Sequence, residues 1–150
     1  MRKIIFSVIA IAFVSPFVYG EELVIHGVGM QWKPMVTFAS TGDTLKFKGM
    51  IGHDTQTIAG LLPEGSSGWK SKLGAEGFGV VVEREGIYVF KCNPHISAGM
   101  VGVVIVGEKN PPNNLEMIQT NLKNVKAGRN MVQRAIRKMN KALQRKKESG

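Results

Sequence analysis

The chain has 150 residues, 43% of them hydrophobic, and a formal net charge of +9, with one cysteine and three histidines. That length makes one domain the starting expectation, and a lone cysteine excludes an internal disulfide. The positive charge does not indicate nucleic acid, because it is not spread along the chain: residues 21–108 hold seven Lys and Arg against nine Asp and Glu, whereas residues 109–150 hold eleven against two. A near-neutral body without a basic stripe lacks the electrostatic footprint of a nucleic-acid binder.

The first segment begins "MRK" and continues with an apolar run from Ile4 to Val14, broken only by Ser7, before "SPFVYG". This layout predicts a secretory signal peptide over residues 1–20, or else an uncut N-terminal membrane anchor, and export in either case. The run is too short for a membrane span, which needs about 20 apolar residues. From Glu21 onward the chain is long enough to bury a core without disulfides. An unpaired cysteine in an oxidising compartment calls for an occupant, and a metal ion would serve.

Residues 21–108 read as a run of short strands. "ELVIHG" and "MVTFAS" are β-rich, and "TGD" between the latter and "TLKFKGM" is a turn. In "TLKFKGM" the apolar Leu45 and Phe47 alternate with Lys46 and Lys48, as in a strand with one buried face. "HDTQTI" resumes the pattern, and "LLPEGSSG" has the Pro, Gly and Ser content of a loop. "FGVVVE" and "IYVFKC" are two strands joined tightly at "REG", and "MVGVVIVG" is a run buried on both faces. Seven or eight strands so spaced predict an all-β fold, an antiparallel sandwich or barrel. His26 and the scattered Met30, Met35 and Met50 are read as structural or packing residues.

Residues 109–150 change period. Pro111 and Pro112 stop the last strand. Asn113 with Glu116 three residues later predicts an N-cap and capping box. Leu115, Ile118, Leu122 and Val125 make one helical stripe; Val132, Ala135, Ile136, Met139, Ala142 and Leu143 make a second, with Gly128 near the junction. Arg134, Arg137, Lys138, Lys141 and Arg145 fall on the opposite face of the second helix. A solvated face is the simpler reading, and weak contact with an anionic membrane surface the sharper one.

The segment "KCNPHISAGM" concentrates the chemistry. Cys92, His95 and Met100 offer a thiolate, an imidazole and a thioether within nine residues, with Pro94 and Gly99 shaping the loop. Together they select a soft or borderline ion, above all one copper ion. His53 in "GMIGHDTQ" is the natural fourth ligand. Two imidazoles, one thiolate and a weak thioether define a type 1 blue-copper electron-transfer set.

"WKPMVTFASTGDTLKF", "LPEGSSGWKSKL", "CNPHISAGMVGVVIVG" and the helices opening at "NNLEMI" resemble the pseudoazurins, a family of cupredoxins, over about Glu21–Leu143. The resemblance implies an eight-stranded Greek-key cupredoxin sandwich (residues 21–108) with two α-helices packed on one sheet (residues 109–150). It carries over His53, Cys92, His95 and Met100 as ligands, with Asp54, Asn93 and Pro94 around them. It further implies a carrier of single electrons between periplasmic redox proteins, such as a c-type cytochrome and nitrite reductase. His95 is expected at the surface and His53 buried. Pro94, Ile96 and Ala98 would form an apolar docking patch, with Lys70, Lys72 and Lys91 around it.

Three positions depart from the family's usual residues: Asp54 replaces Asn, Ala98 replaces Met and Ile51 replaces Lys. A carboxylate at residue 54 would favour Cu(II) and lower the reduction potential. A copper carrier or storage protein is the alternative function. An enzyme is not expected, because a second copper centre would need more histidines than the three available.

Overall fold

A computed structural model describes residues 20–149; the predicted signal peptide falls almost wholly outside the described residues. The alternation in Thr44–Lys48 is realised as strand β4, with Leu45 and Phe47 fully buried and Lys48 exposed. The same period of two shapes β1 (Glu22–Val28), β3 (Val36–Ala39), β6 (Phe78–Val81), β7 (Gly86–Lys91) and β8 (Val101–Val106). Two further strands are very short. β2 (Gln31–Lys33), missed in the sequence, pairs with β1 and contributes the buried Trp32, and β5 keeps only Gln56–Thr57 of "HDTQTI".

The strands form two four-stranded sheets, ordered β2-β1-β4-β6 and β3-β8-β7-β5. Pairing is not wholly antiparallel, as the spacing suggested: β1 runs parallel to β4, and β3 to β8. Parallel neighbours cannot be joined by a tight hairpin. Here the chain leaves one sheet for the other between them, a connection that short-range sequence patterns do not encode. β1, β4 and β7 therefore finish at one end of the sandwich, where β8 begins.

β8 is buried along its whole length, and β7 along all but its last residue, Lys91, because each face has its own cover. Tyr88, Phe90, Val104 and Val106 face the other sheet with Ile25, Trp32, Leu45 and Phe47. Ile87, Val89, Val101, Val103 and Ile105 face the helices. There α1 (Leu115–Asn121) and a 3-10 turn (Leu122–Asn124) set down Ile118 and Val125, and α2 (Arg129–Ser149) sets down Val132, Ala135, Ile136, Met139 and Leu143. Met50 and Met35 pack as expected, but Met30 is 53% exposed beside the β1–β2 turn.

The predicted capping box is replaced by a different arrangement. The N-cap of α1 is Asn114, and its side chain makes no cap bond. Its Oδ1 accepts from the Ile87 N–H at 2.7 Å and its Nδ2 donates to the Ile87 carbonyl at 2.9 Å, fastening α1 to β7. Asn114→Ala would leave both buried backbone groups unpaired and cost about 2 kcal/mol, read as a lower midpoint in chemical denaturation; an unchanged midpoint would contradict this role.

Candidate metal centre

At the end where β4 and β7 finish, two loops meet. The first, Gly49–Thr55, carries the chain from one sheet toward the other. Its turn closes through the His53 N–H donating to the Met50 carbonyl at 2.8 Å. The Glu76 carboxylate accepts from the Gly49 N–H at 3.1 Å and the Met50 N–H at 2.8 Å, which holds its pKa below the ordinary 4.5. Segment 71–74 braces the other side: the Ser71 N–H donates to Thr55 and the Gly74 N–H to the His53 carbonyl. The second loop, Cys92–Met100, folds back on itself, with the Cys92 N–H donating to the Met100 carbonyl at 3.0 Å and the Met100 N–H to the His95 carbonyl at 3.1 Å.

The two loops bring together three atoms able to hold a metal. His53 Nδ1 lies 3.1 Å from His95 Nδ1, and Cys92 Sγ lies 3.7 Å and 3.4 Å from these nitrogens. A point equidistant from atoms so separated is about 2.0 Å from each, which matches metal–imidazole bonds and approaches metal–thiolate ones. The residues present therefore fit a soft, nitrogen- and sulfur-binding ion. Met100 is fully buried in the same core as Cys92. Gly27 borders it: a Cβ there would come within 3.4 Å of the Met100 methyl and 3.0 Å of the His53 ring, so the missing side chain lets both approach the same place.

Burial pushes the Cys92 thiol pKa up, against the backbone N–H groups of Asp54 and His95, which favour the thiolate. Burial first, and the neighbouring His95 second, push the His53 pKa below 6.5, against the pull of Asp54. His53 thus tends to keep its ring neutral, with a lone pair to offer. Asp54 ties the loops together: one carboxylate oxygen accepts from the Asn93 N–H at 2.6 Å and the other from Asn93 Nδ2 at 2.7 Å. The same Nδ2 also donates to Gln56 at 2.9 Å.

The remaining expected residues spread around this core. His53 is buried and His95 half-buried, the expected asymmetry. Pro94 and Ala98 are exposed, but Ile96 is half-buried, its side chain lying against Gly128 at the start of α2. Lys70 and Lys91 flank Gln56 on either side, and Lys72 follows in the bracing segment, so all three lie along the β5 flank of the site. His26 is exposed on β1 and is not among the three residues whose donor atoms converge. Glu76, Gly27 and Gly128 were not anticipated, since no local motif marks a residue whose partners lie more than twenty positions away.

The depressed His53 pKa sets a pH dependence for the metal-free protein. The unfolded imidazole takes up a proton near pH 6.5, while the folded one resists until lower pH. The unfolded chain therefore binds more protons in that window, and stability falls as the pH drops through it. Thermal melts of the apoprotein should show this loss below pH 6.5, and His53→Gln should flatten it; identical slopes in the two proteins would remove His53 as its source.

A family model described as copper binding proteins, plastocyanin/azurin family, matches residues 21–107. The pseudoazurin of Methylorubrum extorquens AM1 is 40% identical over 88 residues, covering 58% of this chain and 57% of that protein. The pseudoazurin of Paracoccus pantotrophus is 37% identical over 92 residues, covering 61% of each. The chain thus spans about three fifths of the length of the curated relatives it matches. Among solved structures, the Methylobacterium extorquens AM1 pseudoazurin superposes with a TM-score of 0.68 at 30% identity, covering 81% of this chain and 99% of that one. With its two-sheet sandwich, its two terminal helices and its cluster of histidines and cysteine, the chain belongs to the plastocyanin/azurin family of copper-binding proteins, and within it to the pseudoazurins.

Proposed function

We infer that the protein is a carrier of single electrons, exported to the periplasm by its first twenty residues, with one copper ion held by His53, Cys92, His95 and Met100. The observation that carries this reading is the convergence of His53 Nδ1, His95 Nδ1 and Cys92 Sγ within 3.7 Å of one another beside the buried Met100. The bound ion supplies a change between Cu(II) and Cu(I). The chain supplies a cage that need not rearrange: each ligand residue is tied by backbone hydrogen bonds to its own loop or to a neighbouring one. Nitrogen donors suit the higher oxidation state and sulfur donors the lower.

A storage or delivery protein would need ligands that a recipient can reach. Cys92 and Met100 are both fully buried, which favours retention. A catalytic reading needs a second centre, and of the three histidines only the exposed His26 is uncommitted.

Electrons would pass through His95, the half-buried ligand. Among the described residues, four of the five exposed large apolar ones, Val28, Met30, Ile51 and Leu73, belong to segments at or beside the His53 loop. With Pro94 and Ala98 they would make an apolar face suited to brief docking. The lysines of the β5 flank would steer an acidic partner toward it. A c-type cytochrome as donor and nitrite reductase as acceptor are the partners of this reading.

Adding Cu(II) to the protein should produce an intense visible sulfur-to-copper absorption band, absent from Cys92→Ser; a colourless wild-type protein would overturn the reading. A second expectation concerns Asp54, whose carboxylate bridges the ligand loops and, among the described residues, enters no salt bridge. Asp54→Asn keeps an oxygen for the Asn93 N–H but removes a negative charge near the copper, so voltammetry should show a higher reduction potential. An unchanged or lower potential would rule this out.

A further inference from the structure

The apolar stripe of α2 is buried against β8, which leaves the rest of the helix to solvent. Not all its cations are free. Arg129 donates to the carbonyls of Val125 and Lys123, closing the preceding turn. Lys146 pairs with Glu108 at 3.9 Å and lies over the Phe38 ring. Arg134, Arg137, Lys138, Lys141 and Arg145 are all exposed and, among the described residues, enter no salt bridge. Their spacing lines them along one side of the helix for about 16 Å. Lys138, Lys141 and Arg145 also rim a hollow of about 430 Å³ floored by Val36 and Ala142.

We propose that this face of α2 is a docking surface for an anionic lipid membrane, on which the protein lies without inserting. The helix cannot insert, because its apolar side is already spent on the sandwich. Attraction must therefore come from charge alone, and the charge is one-sided: residues 109–150 hold eleven Lys and Arg against two acids, while the sandwich holds seven against nine. A molecule so polarised turns α2 toward a negative surface. The hollow offers a headgroup phosphate three cations at its rim.

The position of the stripe separates this surface from the electron-exchange site. α2 begins at the copper end, where Gly128 meets Ile96 and Met131 meets Gly99. It ends at the opposite end, where the Leu143 carbonyl accepts from Asn110. A protein docked over His95 would leave the stripe uncovered, and a folded partner would need acids set in a matching line. Lipid headgroups are mobile in the plane and meet such a line wherever it lies. Lying on α2, the protein would keep its copper end at the edge of the contact, open to a partner on the same membrane.

The test is co-sedimentation of the chain beginning at Glu21, which contains every strand and helix described, with vesicles of phosphatidylcholine plus phosphatidylglycerol and with phosphatidylcholine alone. Binding is expected only to the anionic vesicles, with release at high salt. The triple variant Arg134→Gln, Lys138→Gln, Lys141→Gln should bind about 100-fold more weakly, at about fivefold per cation lost. The charge-preserving pair Lys138→Arg, Lys141→Arg and the copper-end pair Lys70→Gln, Lys72→Gln should bind like the wild type, as should apoprotein. No binding to anionic vesicles, equal binding to both kinds, or full binding by the triple variant would each overturn the proposal. Retention on an immobilised acidic polypeptide through the same three side chains, without vesicle binding, would make an acidic protein the occupant and overturn it as well.

Discussion

The chain crosses from one sheet to the other between β4 and β5, and it crosses over the end of the sandwich where β7 turns into β8. His53 sits on that crossing and Cys92 on that turn, 39 residues apart in sequence and 3.7 Å apart in space. The crossing is held from several sides at once. Glu76 accepts from its first two amides, Gly74 donates to its histidine carbonyl, and Asp54 bonds to Asn93 in the loop opposite. Loosening it would move His53 relative to Cys92, His95 and Met100 while leaving the strands paired.

The groups gathered there are in mutual tension without a cation. Burial disfavours the thiolate of Cys92 and the imidazolium of His53, yet the adjacent Asp54 carboxylate favours a positive charge nearby. A metal ion resolves the conflict, since it displaces the proton that burial keeps on Cys92, accepts the neutral imidazole of His53 and supplies the missing positive charge. The packing thus selects for metal before any question of redox arises. The same rigidity that brings the donors together limits their movement when the charge on the ion changes.

α2 serves the fold and the surface with different faces. Its apolar side completes the second core over β7 and β8, and its first turn supports the ligand loop through Gly128 and Ile96. The support explains why Ile96 is half-buried, whereas Ile51, Met30 and Leu73 stay exposed. The helix that buttresses the ligand loop therefore also carries, on its solvent face, cations that enter no salt bridge among the described residues.

Periodicity was enough to place β4, β7, β8 and both helices, because burial on one face or two imposes a repeat of two or of about 3.6 on the residues themselves. Ligand chemistry was enough to pick out His53, Cys92 and His95, which the fold brings together, because few residue types bind a soft ion and this chain has one cysteine and three histidines. β2 escaped notice because three residues are too short to show a period. Asn114 displaced the expected capping box because its better partner was a backbone in β7, 27 residues away. Local sequence therefore determined the longer strands, the helices and which side chains could hold copper. Only the tertiary structure decided the parallel pairings, the clasp of Glu76 on the His53 loop and the burial of Ile96, because each depends on which distant groups packing brings into contact.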